Sequence, residues 1–104
     1  MAIPSNIALT SGLPPRPGVY LMKDARGRIL YIGKATSLKT RVSSYFSRPL
    51  EPRIAAMILK IRQIDIEETP TAIEALMLES RLIKKHQPRY NVMEKDDKSF
   101  VHLA

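Results

Sequence analysis

The chain has 104 residues, 44% of them hydrophobic, which fits one small domain with its own core. It has no cysteine, so disulfides and thiolate metal sites are excluded, and no apolar run approaches membrane-spanning length. Lys and Arg number 17 against 10 Asp and Glu, a net charge of +7 with a pI near 10.0, and that excess points to nucleic acid as partner.

Residues 1–12 read as a loosely held leader. They lack the basic start and apolar middle of a secretion signal, so a soluble, cytoplasmic protein with no membrane partner is expected. Pro14, Pro15 and Pro17 force an extended approach to the first strand. Asp24-Ala25-Arg26-Gly27 is a turn signal between two β-prone runs, Gly18-Val19-Tyr20 onward and up to Tyr31-Ile32-Gly33. Centring the turn there makes Lys23 face Arg28, Met22 face Ile29, Leu21 face Leu30, and Tyr20 face Tyr31. Val19, Leu21, Leu30 and Ile32 then form a wholly aliphatic core face. The other face carries both phenols and the bare backbone of Gly33, which leaves room for a ligand. The plainer alternative is a cross-strand aromatic pair that stabilises the sheet.

Thr36 or Ser37 can cap a helix from about Leu38 to Phe46, with Leu38, Val42 and Phe46 as its apolar row. Pro49 and Pro52 break the chain. A second helix from about Arg53 to Arg62 buries Ile54, Met57 or Ile58, and Ile61. From Lys34 to Arg62 the basic residues are Lys34, Lys39, Arg41, Arg48, Arg53, Lys60 and Arg62, against the single acid Glu51. Ile64 to Thr69 alternates as a half-buried strand. The longest helix runs from about Ala72 to His86, with Thr71 and Glu74 at capping-box spacing, basic residues at its end, and Pro88 stopping it. Lys98 to Leu103 suits another strand.

Glu79 breaks the pattern of the long helix. Ala72, Leu76 and Ile83 form an apolar row, and Glu79 fills the missing place in it. An ionised carboxylate facing a core costs several kcal/mol unless a cation or hydrogen bonds compensate. It is either a buried Glu paired with an Arg, or a metal ligand or general base at the core's edge. Arg41 neighbours Leu38 and Val42, with Tyr45 one turn on, so guanidinium and hydroxyl can meet one ligand. Lys34 follows Gly33 where the strand opens towards the next helix. His86 and His102 form no metal cluster, no Ser-His-Asp set or Gly-rich phosphate loop is recognisable, and Asp96-Asp97 reads as a solvated pair.

These blocks resemble the GIY-YIG endonuclease domain, of the kind found at the N-terminus of UvrC-type excinuclease subunits. The resemblance covers Leu13 to about Phe100. It rests on Pro17-Gly18-Val19-Tyr20-Leu21-Met22, Leu30-Tyr31-Ile32-Gly33-Lys34-Ala35, Leu38-Lys39-Thr40-Arg41-Val42, Glu74-Ala75-Leu76, Leu78-Glu79, Leu82-Ile83-Lys84-Lys85, Pro88-Arg89-Tyr90-Asn91-Val92 and Asp96-Asp97-Lys98-Ser99-Phe100. Val19 stands where the family name has isoleucine. The resemblance implies a mixed α/β (α+β) fold, a small three-stranded antiparallel sheet flanked by helices. It places the nuclease domain at residues 13–100, with 101–104 as the truncated start of a following segment.

It also implies metal-dependent hydrolysis of one DNA phosphodiester bond, the 3′-side incision of nucleotide excision repair. Damaged double-stranded DNA is the expected substrate, and a UvrB-type damage-recognition and loading protein the expected partner, through domains absent here. Carried-over catalytic positions are Tyr20, Tyr31, Lys34, Arg41, Tyr45 and Asn91, with Glu79 as ligand to a single Mg²⁺ or Mn²⁺. Arg41 is expected to hold the scissile phosphate, Tyr20 or Tyr31 to orient or deprotonate water, and Asn91 to support the site by hydrogen bonding. The chain is read as an excised catalytic domain, a weak nuclease alone. The alternatives are a sequence- or structure-specific nuclease of the same fold, and a basic DNA-binding module without catalysis.

Overall fold

In the computed structural model, which describes residues 11–47 and 51–92, Asp24 builds the turn that starts the sheet. Its Oδ1 accepts from the backbone N–H of Arg26 (2.9 Å) and of Arg28 (3.0 Å). The Gly27 N–H closes the turn on the Asp24 carbonyl with φ at +82°, a conformation that favours glycine. Residues 1–10, the Asp96-Asp97 pair, His102 and the expected strand from Lys98 lie outside the described residues.

The turn joins β1 (Gly18–Lys23) to β2 (Ile29–Ala35). The register differs from the one expected: Tyr20 faces Gly33, Leu21 faces Ile32 and Met22 faces Tyr31. The Asp24 loop is longer than the turn signal indicates. A bulge follows it, since Lys23 faces Ile29 and Leu30 has no partner. A shift of two residues keeps side chains on their faces, so Tyr20 and Tyr31 still share one. Leu30, beside the bulge, joins the tyrosine side instead of the aliphatic one.

A third strand, β3 (Gln63–Glu68), pairs antiparallel with β1, giving the order β2-β1-β3 with β1 central. Three helices cover the sheet: α1 (Leu38–Ser47), α2 (Pro52–Lys60) and α3 (Ala72–His86). A further helical turn begins at Arg89. The proline-rich approach anchors α1, because the carbonyls of Arg16 and Pro14 accept from the N–H groups of Leu38 (2.9 Å) and Lys39 (3.0 Å). Ser37 Oγ caps the same turn by accepting from the Thr40 N–H at 3.4 Å. Among the described residues no helix is long and apolar enough to cross a membrane.

Both sheet faces are buried, not one. On the tyrosine side Tyr20 and Met22 pack with Leu38 and Val42 of α1, Met57 of α2, and Ile61. On the other side Val19 and Ile32 pack against Ala75 of α3, with Leu21, Leu78 and Leu82 around them. The inward line of α3 is therefore Ala75, Leu78 and Leu82, while Ala72 and Leu76 are exposed. Apolar residues occupy two neighbouring faces of this helix, and periodicity alone cannot tell which meets the sheet. The small Ala75 decides it by letting α3 approach closely over Val19 and Ile32. Glu79 consequently sits at the rim of the buried face rather than in its middle.

Candidate active site

Among the described residues β2 is an edge strand, and α1 lies on one face of the sheet while α3 lies on the other. A cleft of about 310 Å³ opens at that edge, where side chains from both faces converge. Tyr20, Tyr31 and Gly33 come from the tyrosine face and Arg41 from α1. Glu79 and Ile83 come from α3, Lys34 from the end of β2, and Asn91 from the turn after α3. Six of the seven residues expected from the sequence line this one cleft. The seventh, Tyr45, reaches it through Tyr20.

The phenols form a stack. Tyr20 and Tyr31 have ring centroids 6.3 Å apart, and the Tyr45 ring stands edge-on to Tyr20 at 5.9 Å. The Tyr20 and Tyr45 hydroxyls are hydrogen-bonded at 2.7 Å, and the Arg41 guanidinium sits over the Tyr45 ring at 5.7 Å. Tyr20 is 1% exposed. Burial pushes its phenol far above the ordinary range, and Tyr45 and Tyr31 push the same way, while Arg41 beside it only partly opposes them. Tyr20 thus stays a neutral hydroxyl. The same contact raises the pKa of Arg41, whose guanidinium is charged in any case.

Gly33 serves this stack rather than an incoming ligand. A Cβ there would strike the Tyr20 hydroxyl and ring, which lie directly across from it on β1. Tyr20 fills the direction a Gly33 side chain would take, while the Gly33 backbone still lines the cleft.

Asn91 is buried, and both ends of its amide are engaged by the backbone of one residue of β2. Its Oδ1 accepts from the Ile32 N–H (2.8 Å) and its Nδ2 donates to the Ile32 carbonyl (3.0 Å). It continues the ladder on the side of β2 where, among the described residues, no strand lies, and it fixes the strand that carries Tyr31 and Lys34.

The basic stretch divides in the structure. Lys60 lies 5.9 Å over the Tyr90 ring, Arg62 donates to the Leu59 and Ile61 carbonyls, and Arg53 pairs with Glu51 at 3.2 Å. Lys34 and Arg41 remain exposed at the cleft, and Lys39 is exposed on α1. Among the described residues no group of three or more His, Cys, Asp or Glu comes together, so Glu79 is the carboxylate of this cleft.

The model of the UvrC-like GIY-YIG domain matches residues 16–92, which include every residue of the cleft. The chain belongs to the UvrC-like GIY-YIG domain family. It is 53% identical over 90 residues to the UvrABC system protein C of Desulforudis audaxviator, covering 86% of this chain and 15% of that protein. It is 54% identical over 93 residues to the corresponding protein of Symbiobacterium thermophilum, covering 88% and 15%. The chain thus spans about 15% of the length of these relatives. Among solved structures it resembles the GIY-YIG N-terminal endonuclease domain of Thermotoga maritima UvrC bound to its catalytic magnesium, with a TM-score of 0.73 and 32% identity. That match covers 82% of this chain and 93% of the other. The GIY-YIG fold of three antiparallel strands between helices is the one expected from the sequence.

Proposed function

We propose that this GIY-YIG domain is a metal-dependent endonuclease that makes the 3′-side incision in damaged double-stranded DNA during nucleotide excision repair. The convergence of Tyr31, Lys34, Arg41 and Glu79 in one cleft carries the reading. The nuclease unit spans residues 13–100 of a longer cytoplasmic protein. A UvrB-type damage-recognition protein engages domains outside this chain.

The donor set fits Mg²⁺. One carboxylate on a half-exposed helix rim suits a cation that keeps several waters and takes further oxygens from a substrate phosphate. Glu79 holds it; when bound, the ion polarises the phosphate and makes a nearby water more acidic. Arg41, a guanidinium charged at every working pH, neutralises the phosphorane oxygens as they gain charge. Tyr31 is the phenol that orients the attacking water and takes its proton, because Tyr20 is held neutral and bonded to Tyr45. Lys34, lining the same cleft, supplies positive charge for the incoming phosphate. The water oxygen bonds to phosphorus as the bond to the 3′ oxygen breaks, and that oxygen leaves as a hydroxyl by taking a proton from solvent water. Tyr20, Tyr45 and Asn91 position these groups without touching the reacting atoms.

Glu79→Gln tests the assignment. It keeps the shape of a rim residue, so the fold should persist. Incision by the full-length protein with its partners should fall by at least ~10²-fold, the scale of losing one charge-stabilising element. A folded Gln variant with parental incision removes Glu79 from the site.

A further inference from the structure

A second, larger groove of about 570 Å³ adjoins the cleft and shares Lys34 and Arg41 with it. Its floor is the end of β2 and its far wall is Ala72, at the start of α3. Its near wall is a polar stripe along α1, Ser37, Thr40, Arg41 and Ser44, at the spacing of one helix face. Leu38 and Val42 turn the other way into the core. Among the described residues no carboxylate lines the groove.

The charge pattern of α1 runs against the helix's own preference. Helix starts favour acids, and a Glu three residues after a Ser cap would also bond back to it. The long helix follows the rule with Thr71 and Glu74. The first turn of α1 contains no acid and carries Lys39, with Thr40 where the Glu would stand. Its amides are no anion site in themselves, because Arg16, Pro14 and Ser37 already occupy them. Recognition in the groove therefore falls to side chains: the cations Lys34 and Arg41 and the Thr40 hydroxyl, which is held in place because Ser37 Oγ donates to Thr40 Oγ1 (3.2 Å), while Ser44 Oγ donates to the Arg41 carbonyl (2.6 Å).

We propose that this groove holds the DNA strand next to the scissile bond, with a phosphate adjacent to the reacting one lying against Ser37 and Thr40. The proposal rests on the endonuclease reading and adds to it the path of the strand. Arg41 stands at the junction, so a backbone seated in the groove delivers its next phosphate to the cleft.

Thr40→Glu tests it. The substitution completes a capping box, so the helix keeps its fold while a negative charge enters the groove. The full-length protein and its loading partners are given lesion duplexes carrying one neutral methylphosphonate at either linkage adjacent to the cut. With the unsubstituted protein, one of these neutral linkages should slow single-turnover incision about tenfold, the worth of a charged hydrogen bond. Thr40→Glu should slow incision of ordinary DNA at least as much, and the same methylphosphonate should now speed it by removing the repulsion. Arg81→Glu, on an exposed part of α3 outside the groove, should leave the linkage profile unchanged. Parental incision by Thr40→Glu, or an unaltered methylphosphonate profile, overturns the groove alone. Absence of 3′ incision by the unsubstituted protein overturns the nuclease reading and the groove with it.

Discussion

Replacing Gly33 with Ala separates two meanings of a glycine beside an active site. In an unobstructed strand, Gly→Ala stabilises by about 0.4–1 kcal/mol through the unfolded state. Gly33 does not have a positive φ, so backbone strain does not enter. The added methyl instead meets the Tyr20 ring and hydroxyl. Tyr20 cannot move aside easily, since it is 1% exposed and packed between Tyr31 and Tyr45. Overpacking of this kind costs about 1–3 kcal/mol, and with little room to relax the upper part of that range applies. A net loss of about 2–3 kcal/mol lowers Tm by roughly 10–20 °C in a domain of this size. Circular-dichroism melts and urea titrations of Gly33→Ala, Tyr20→Ala and the double variant form a complete cycle. With the ring gone, Gly33→Ala should become neutral or stabilising, so the two losses are far from additive. If Gly33→Ala melts with the parent but abolishes incision, the glycine serves substrate approach and the packing argument is wrong.

Two further outcomes follow from the charges around the phenols. Arg41→Ala should reduce single-turnover incision more than DNA binding at one ionic strength, because Lys34, Lys39 and other cations still supply the sequence-independent attraction; equal losses make Arg41 an ordinary binding residue. Because the Tyr20 pKa is raised in the folded state, its contribution to stability is complete below the unfolded value of about 10 and is lost as pH rises beyond it. An ultraviolet titration should therefore show absorbance gained only on alkaline unfolding, and Tyr20→Phe should lose one phenol from that late step; a late step unchanged in Tyr20→Phe refutes the burial argument.

Most of the site was legible from the chain because its parts are local. Ala72–His86 has its limits in a Thr71 cap and a Pro88 stop, and Arg41 and Tyr45 sit one turn apart by helix geometry alone. The sharing of a face by Tyr20 and Tyr31 survived an error in register, since a slip of two residues preserves faces. What the chain hid was tertiary. The bulge at Leu30 follows from how Asp24 folds its loop, and no alternation pattern encodes it. The inward face of α3 depends on Ala75 meeting Val19 and Ile32, contacts remote in sequence. The role of Gly33 depended on where the Tyr20 ring comes to rest. Asn91 bonds Ile32 across 59 residues, and only the assembled sheet shows that its amide has both bonds taken.

That asparagine also guards the sheet against its own kind. An edge strand offers a free row of N–H and C=O groups, a template on which another chain can add a strand. At Ile32, the midpoint of β2, a single side chain imitates a peptide group and closes the row. The covering residue comes after the last full helix, so the edge is sealed only once the chain beyond Pro88 has folded back. A fragment ending at α3 would leave that position open to strand exchange, and self-association, rather than loss of helix, would be its first defect.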